Sequence, residues 1–229
     1  DRMLDMGFAP QIREIMKYVS KERQTLLFSA TLPKEIIGLA TQLMKNPVRV
    51  AMDTELTAAP QIEQKTIETS MDGKNTLILT ELEQRTGKVL IFARTQIRTD
   101  RLARMLYDRG HRVVRLHGGC TQWQRKESLE QFRRGTHRIM VATDLAGRGI
   151  DVTDIQHVIN YDLPESHEDY IHRIGRTGRL GKTGQALSFV TPIDVDSQRI
   201  ITGVKASPKF AFRGGRRFRG TRAPSPASR

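Results

Sequence analysis

The string His172-Arg173-Ile174-Gly175-Arg176-Thr177-Gly178-Arg179 sets arginines at three-residue spacing and interrupts them with glycines. Core packing does not demand such a cluster, because arginine is rarely fully buried unless it is paired. A guanidinium fork instead suits bidentate binding of phosphate oxygens, and glycine lets backbone approach a ligand closely. The pattern reads as a phosphate clamp; the plain alternative is a solvated basic turn.

Other candidates follow short apolar runs. Arg94 and Thr95 come after Lys88–Ala93, His117-Gly118-Gly119 after Arg112–Leu116, and Thr143-Asp144 after Arg138–Ala142, with Gly147-Arg148-Gly149-Ile150-Asp151 next. If those runs are parallel strands, these residues share the carboxyl edge of a sheet, where open α/β folds hold ligands. Glycines beside basic groups favour a nucleotide or nucleic-acid edge over ordinary solvated turns.

The elements that must position these groups can be read in order. Lys88–Ala93, Arg112–Leu116, Arg138–Ala142, Gln156–Asn160 and Gln185–Val190 are aliphatic and bounded by turn residues, as strands are. Between them, Ile97–Arg109 carries Leu102, Met105 and Leu106 at helical spacing and ends at Gly110. Gln122–Arg134 carries Leu129 and Phe132, opens with capping-box spacing at Thr121 and Gln124, and stops at Gly135. Ser166-x-x-Asp169 starts another helix, followed by Tyr170, Ile171 and Ile174. Strand and helix in alternation predict an α/β fold, a mostly parallel sheet with helices on both faces.

Residues 1–52 read as the end of a different α/β unit. Gln11–Val19 follows Pro10 with a stripe of Ile12, Ile15, Met16 and Val19, Gln24–Phe28 is strand-like, Pro33 opens a helix through Met44, and Val48–Met52 is a further short strand. Residues 53–65 are a polar linker, 66–204 the main lobe, and 205–229 an Arg/Gly-rich tail without apolar periodicity, which predicts disorder.

The net charge is +13, and residues 205–229 supply eight Lys or Arg with no Asp or Glu, leaving +5 for the first 204 residues. That balance fits a polyanion partner. Within the tail, Phe210–Gly220 interleaves arginine, glycine and phenylalanine, a composition that holds nucleic acid by charge and stacking. Cys120 is the only cysteine, which excludes a disulfide framework or a cysteine zinc site and suits a reducing, cytoplasmic setting. No apolar run is long enough to predict a membrane-spanning helix.

Several strings together resemble the DEAD-box RNA helicases of superfamily 2, in that family's order: Asp1-Arg2-Met3-Leu4-Asp5-Met6-Gly7-Phe8, Ser29-Ala30-Thr31, Val89–Thr95, His117-Gly118 with Gln122-x-x-Arg125, Ala142–Asp151 and His172–Arg179. The resemblance implies RecA-like lobes that close on ATP, Mg²⁺ and RNA. Asp1 looks like the last residue of the Asp-Glu-Ala-Asp motif, and no Gly-x-x-x-x-Gly-Lys-[Ser/Thr] loop occurs in the chain. On that basis residues 1–52 are a remnant of the first lobe, Mg²⁺ ligands are expected upstream, and the chain alone is not expected to turn over ATP.

Carried over by position, Arg176 and Arg179 resemble arginine fingers for the γ-phosphate. Gly149 and Asp151 fall on the ATP side, with Asp151 accepting from the ribose hydroxyls. His172 resembles a coupling histidine that reaches the Asp1 and Ser29-Ala30-Thr31 region, and Arg173 belongs with that coupling set, paired to a carboxylate in the cleft. Positions matching Arg94, Gly118, Gln122, Arg125 and Thr143 hold the RNA backbone, which carries no base sequence. Trp123 is expected to be partly buried, with base stacking as its alternative. Gly147 stands where the family usually has alanine, and Gly119 where it often has aspartate. A non-catalytic RNA-binding or RNA-chaperone module is the alternative function; a superfamily 2 DNA helicase fits less well, because many of those carry glutamine in place of His172.

Overall fold

The computed structural model describes residues 7–28, 34–50, 61–147 and 150–194, within two compact units, 1–54 and 55–229. The first unit holds helices α1, Ala9–Tyr18, and α2, Lys34–Leu43. Proline in the first turn of α1 costs no hydrogen bond, since the first amides have no intrahelical partner. Arg13 Nε donates to Gln42 Oε1 and Arg23 Nη2 to the Leu43 carbonyl, each at 3.3 Å. No α1 side chain is buried, and Tyr18, Phe28, Val48 and Val50 are all more than four-fifths exposed.

The strands expected in this unit are not seen: residues 24–28 and 48–50 have no strand pairing, and 51–52 lie outside the described residues. Apolar sequence alone does not make a strand; it needs a neighbour to take its hydrogen bonds.

In the second unit six strands form one parallel sheet, β1 Ile62–Glu68, β2 Lys88–Phe92, β3 Val113–Leu116, β4 Ile139–Ala142, β5 Ile155–Asn160 and β6 Gly184–Val190, in the order β1-β6-β5-β2-β4-β3. Its helices are α3 Gly73–Glu83, α4 Gln96–Asp108, α5 Gln122–Arg134, α6 Asp144–Gly147 and α7 His167–Ile174. Ile78 and Leu82 of α3 and Leu102 and Leu106 of α4 pack with Val89, Ile91 and Phe189 on one face. Phe132 of α5 and Ala146 of α6 meet Leu90, Phe92 and Met140 on the other, where Tyr170 and Ile174 of α7 also cover Ile62, Ala186 and Val190. A parallel sheet buried on both sides explains why β2 and β4 read as unbroken apolar runs.

β1 departs from the sequence reading. It starts at Ile62, inside the stretch 53–65 expected to be linker, and pairs with β6 from Ile62↔Gly184 to Glu68↔Val190. Its sequence, IEQKTIE, is mostly polar because it is an edge strand with five exposed side chains. Residues 53–60 of the expected linker, 195–204 of the expected lobe and the tail 205–229 lie outside the described residues.

Candidate nucleotide and nucleic-acid edge

The chain leaves β2 towards the β4–β3 side of the sheet and leaves β5 towards β6. Strand order therefore reverses between the carboxyl ends of β2 and β5, and a crevice opens at such a point. It is filled by a network of charges. Arg173, on the last turn of α7, is 2% exposed. Its Nε and Nη2 donate to the two carboxylate oxygens of Asp144 at 2.5 and 2.6 Å. Its Nη1 donates to Asn160 Oδ1 at 3.1 Å and to the Asp162 carbonyl at 2.6 Å. The guanidinium carbon lies 5.0 Å from the centroid of Phe92.

Asp162 is the second node. Its carboxylate accepts from the Arg94 amide at 3.1 Å, from Arg98 Nη1 at 2.6 Å and from Lys74 Nζ at 3.2 Å. Lys74 is itself 2% exposed, donates to the Tyr161 carbonyl at 2.7 Å and lies 3.9 Å from Asp194 Oδ2. Burial works to raise the Asp162 pKa, but the Arg94 amide and the Lys74 and Arg98 charges outweigh it and hold the carboxyl below its ordinary value.

The opening arginines thus divide. Arg173 spends its donors inside the lobe, on the Asp144 carboxylate, Asn160 Oδ1 and the Asp162 carbonyl. Arg176 and Arg179 follow α7 on a half-buried loop, with Arg176 Nη1 3.4 Å from the Ile150 carbonyl and Arg179 Nε donating to the Gly175 carbonyl at 2.9 Å. Buried Thr177 between them pins the loop to β5: its hydroxyl donates to the Ile155 carbonyl at 2.6 Å, with that of Gln156 at 3.0 Å. Gly178 has φ +66°, and a Cβ there would stand 2.7 Å from Ile62 Cγ1, so this glycine is required by the fold. His172 is half-buried and lines a shallow cleft with Asp144, Gly147, Asp169 and Arg176. Asp151 is exposed at the same edge, one residue beyond Ile150.

The second group sits on the neighbouring strand ends. Arg94 follows β2, Gly118 follows β3 and Thr143 follows β4, while Gln122 opens α5. Thr121 caps α5 through a reciprocal capping box with Gln124. Arg125 Nη2 donates to the Ala146 carbonyl at 2.9 Å, joining α5 to α6. His117 accepts from the Gly119 amide at Nδ1, 3.1 Å, so Nε2 carries the hydrogen given to Asp100 Oδ1 at 2.9 Å. At the two departures from the family pattern, a Cβ on Gly147 would lie 2.6 Å from Phe92 Cε1, and one on Gly119 2.9 Å from Gln96 Oε1. Glycine at 147 leaves room for the ring beneath Arg173. Trp123 corrects the expectation of partial burial: it is 73% exposed.

Of the sequence candidates, Asp1, Ser29, Ala30, Thr31, Arg148 and Gly149 lie outside the described residues. Those in the second unit gather on one edge in two neighbouring groups. Lys74, Arg98, Asp162 and Asp194, the charges that tie that edge together, escaped the sequence reading. Asp162 and Asp194 follow β5 and β6, so applying the strand-end rule to those strands would have found them. Among the described residues there is no group of three or more His, Cys, Asp or Glu that could hold a metal ion, and no helix is long and apolar enough to cross a membrane.

A parallel α/β lobe with buried cationic pairs and glycine-bearing loops on its carboxyl edge belongs to the RecA-like class. A family profile described as "Helicase conserved C-terminal domain" matches residues 73–181, and one described as "DEAD/DEAH box helicase" matches 1–38. The ATP-dependent RNA helicase DBP2 of Lodderomyces elongisporus is 47% identical over 196 residues, covering 83% of this chain and 36% of that protein. The crystal structure of E. coli DEAD-box protein SrmB bound to regulator of ribonuclease activity A is 34% identical, covers 61% of this chain and 84% of that one, and has a TM-score of 0.58. S. cerevisiae Dbp5 bound to RNA and ADP BeF3 is 30% identical, covers 86% of this chain and 54% of that one, and has a TM-score of 0.74. The chain belongs to the DEAD-box helicase family. It spans about a third of the length of the DBP2 relatives that it matches.

Proposed function

We propose that this chain serves in an ATP-dependent RNA helicase, with unit 55–229 acting as the second RecA-like lobe. The observation that carries this reading is the meeting of the two groups through shared partners. Asp144, which holds Arg173, directly follows Thr143; Asp162, whose carbonyl also holds Arg173, takes the Arg94 amide on its carboxylate. A change at the arginine loop therefore reaches the residues assigned to RNA through a few rigid bonds.

In this reading Arg94, Gly118, Gln122, Arg125 and Thr143 hold sugar and phosphate, and the choice of groups makes binding tolerant of sequence. Arg176 and Arg179 meet the γ-phosphate, while Asp151 takes the ribose hydroxyls. The residues fit such a ligand: guanidinium groups and an exposed carboxylate line one edge, and Thr177 and Gly178 fix the loop between the arginines. When bound, ATP would supply the phosphoryl group for transfer, with Arg176, Arg179 and Asp151 the residues of this lobe that would hold it, and Mg²⁺ would accompany its phosphates. Arg173 is a positioning residue, and His172, in the same cleft, is assigned to coupling with the region around Asp1 and Ser29-Ala30-Thr31.

The test is RNA-stimulated ATP hydrolysis by the chain alone and after adding a separately made ATP-binding lobe from a DBP2 relative. The proposal expects no turnover alone and RNA-dependent turnover in the mixture. Turnover by the chain alone that survives repurification, or none in the mixture despite RNA binding, contradicts it.

A further inference from the structure

Trp123 lies on the opposite side of α5 from its buried residue. At ~100° per residue, nine positions place it about 180° round the helix from Phe132, which is fully buried. Arg125 falls almost in line with Phe132, which is why it turns inward to the Ala146 carbonyl. Trp123 cannot follow it, and the residue stays 73% exposed beside exposed Gln122 and Lys126.

Its setting repeats along the edge. The first turn after each of the adjacent strands β2, β4 and β3 carries one exposed apolar side chain: Ile97 at 64%, Leu145 at 50% and Trp123 at 73%. Each follows a residue assigned to the RNA backbone, namely Arg94, Thr143 and Gln122. Polar donors and exposed apolar residues thus alternate in sequence after three adjacent strands. Backbone donors take phosphate and sugar, which leaves the base faces to be covered, and aromatic side chains do that without regard to sequence.

We propose that Trp123 is a base-stacking residue for single-stranded RNA held on this edge, with Ile97 and Leu145 the exposed apolar residues after the two neighbouring strands. The proposal rests on the reading of Arg94, Gly118, Gln122, Arg125 and Thr143 as backbone contacts and adds a contact to the bases. Exposed Lys126, three residues on, supplies charge complementary to the strand. Trp123 contributes affinity that depends on bases being present but not on their identity.

Trp123 is the only tryptophan, so its emission reports this position alone. The full chain is titrated with a short oligouridine and with an abasic strand of equal length, following anisotropy of a labelled strand and, separately, indole emission. The proposal expects emission to be quenched along the oligouridine binding curve and unchanged by the abasic strand. Trp123→Ala weakens oligouridine binding about five- to a hundred-fold and leaves abasic binding as it was, while Trp123→Phe retains most of the affinity. Saturable oligouridine binding with unchanged emission and an unaffected Trp123→Ala variant overturns the stacking role alone and gives this face to a protein partner. Absence of binding by both strands overturns the stacking role together with the RNA reading beneath it.

Discussion

Arg173 and Asp144 form a two-pronged ion pair, with Nε 2.5 Å from Oδ1 and Nη2 2.6 Å from Oδ2, although 29 residues separate them. The pair locks the last turn of α7 to the first residue of α6. Arg173 is 2% exposed and the Asp144 side chain 30% exposed, so removing the arginine leaves Asn160 and the Asp162 carbonyl without their donor, whereas the freed carboxylate still reaches water.

Arg173→Ala should therefore destabilise the fold by about 3 kcal/mol, near the lower end for a broken buried pair. Arg173→Lys should recover less than half of that, because one ammonium cannot reproduce the fork. Urea denaturation of the two variants and of Asp144→Asn checks this. A shift in midpoint for Arg173→Ala no larger than that of an exposed arginine such as Arg104 would contradict it.

Gly178 and Gly181 both have left-handed backbone, at φ +66° and +75°, but only Gly178 has a neighbour, Ile62 Cγ1, where a methyl would go. Gly181→Ala should cost about 1 kcal/mol of backbone strain. Gly178→Ala adds the clash and should cost about 2–3 kcal/mol. Equal thermal shifts for the two variants would show that the contact with Ile62 does not matter.

Asp162 gives the lobe an acid limit. Its folded pKa lies below the ordinary 3.8, so the stability it contributes is present above that value and is lost as pH falls towards the folded pKa. Asp162→Asn should be less stable at neutral pH, because the carboxylate that accepts from Lys74, Arg98 and the Arg94 amide is lost, and should lose less stability between pH ~5 and ~3. Parallel pH–stability curves for the variant and the wild type would contradict the assignment.

Much of this edge was legible because chemistry and topology coincide in the sequence. Five of the six strands and helices α4, α5 and α7 announce themselves by apolar period and caps, and Arg94, Gly118 and Thr143 are simply the residues at strand ends. β1 was hidden by its exposed edge position, and α6 by having only four residues. The charge network was hidden for another reason: Lys74 and Asp162 are 88 residues apart, and no local pattern specifies such a pair. Trp123 shows the opposite failure. The helical angle between it and Phe132 already placed it on the solvent side, although partial burial was expected.

In the proposed function the arginine loop completes an ATP site while the neighbouring strand ends hold RNA. The most direct measurement is RNA-stimulated ATP turnover by the chain mixed with an added ATP-binding lobe, comparing wild type with Arg176→Ala. Arg176→Ala should lose roughly a thousand-fold or more in turnover, with RNA affinity and thermal stability close to wild type. Turnover by Arg176→Ala equal to that of wild type would contradict it.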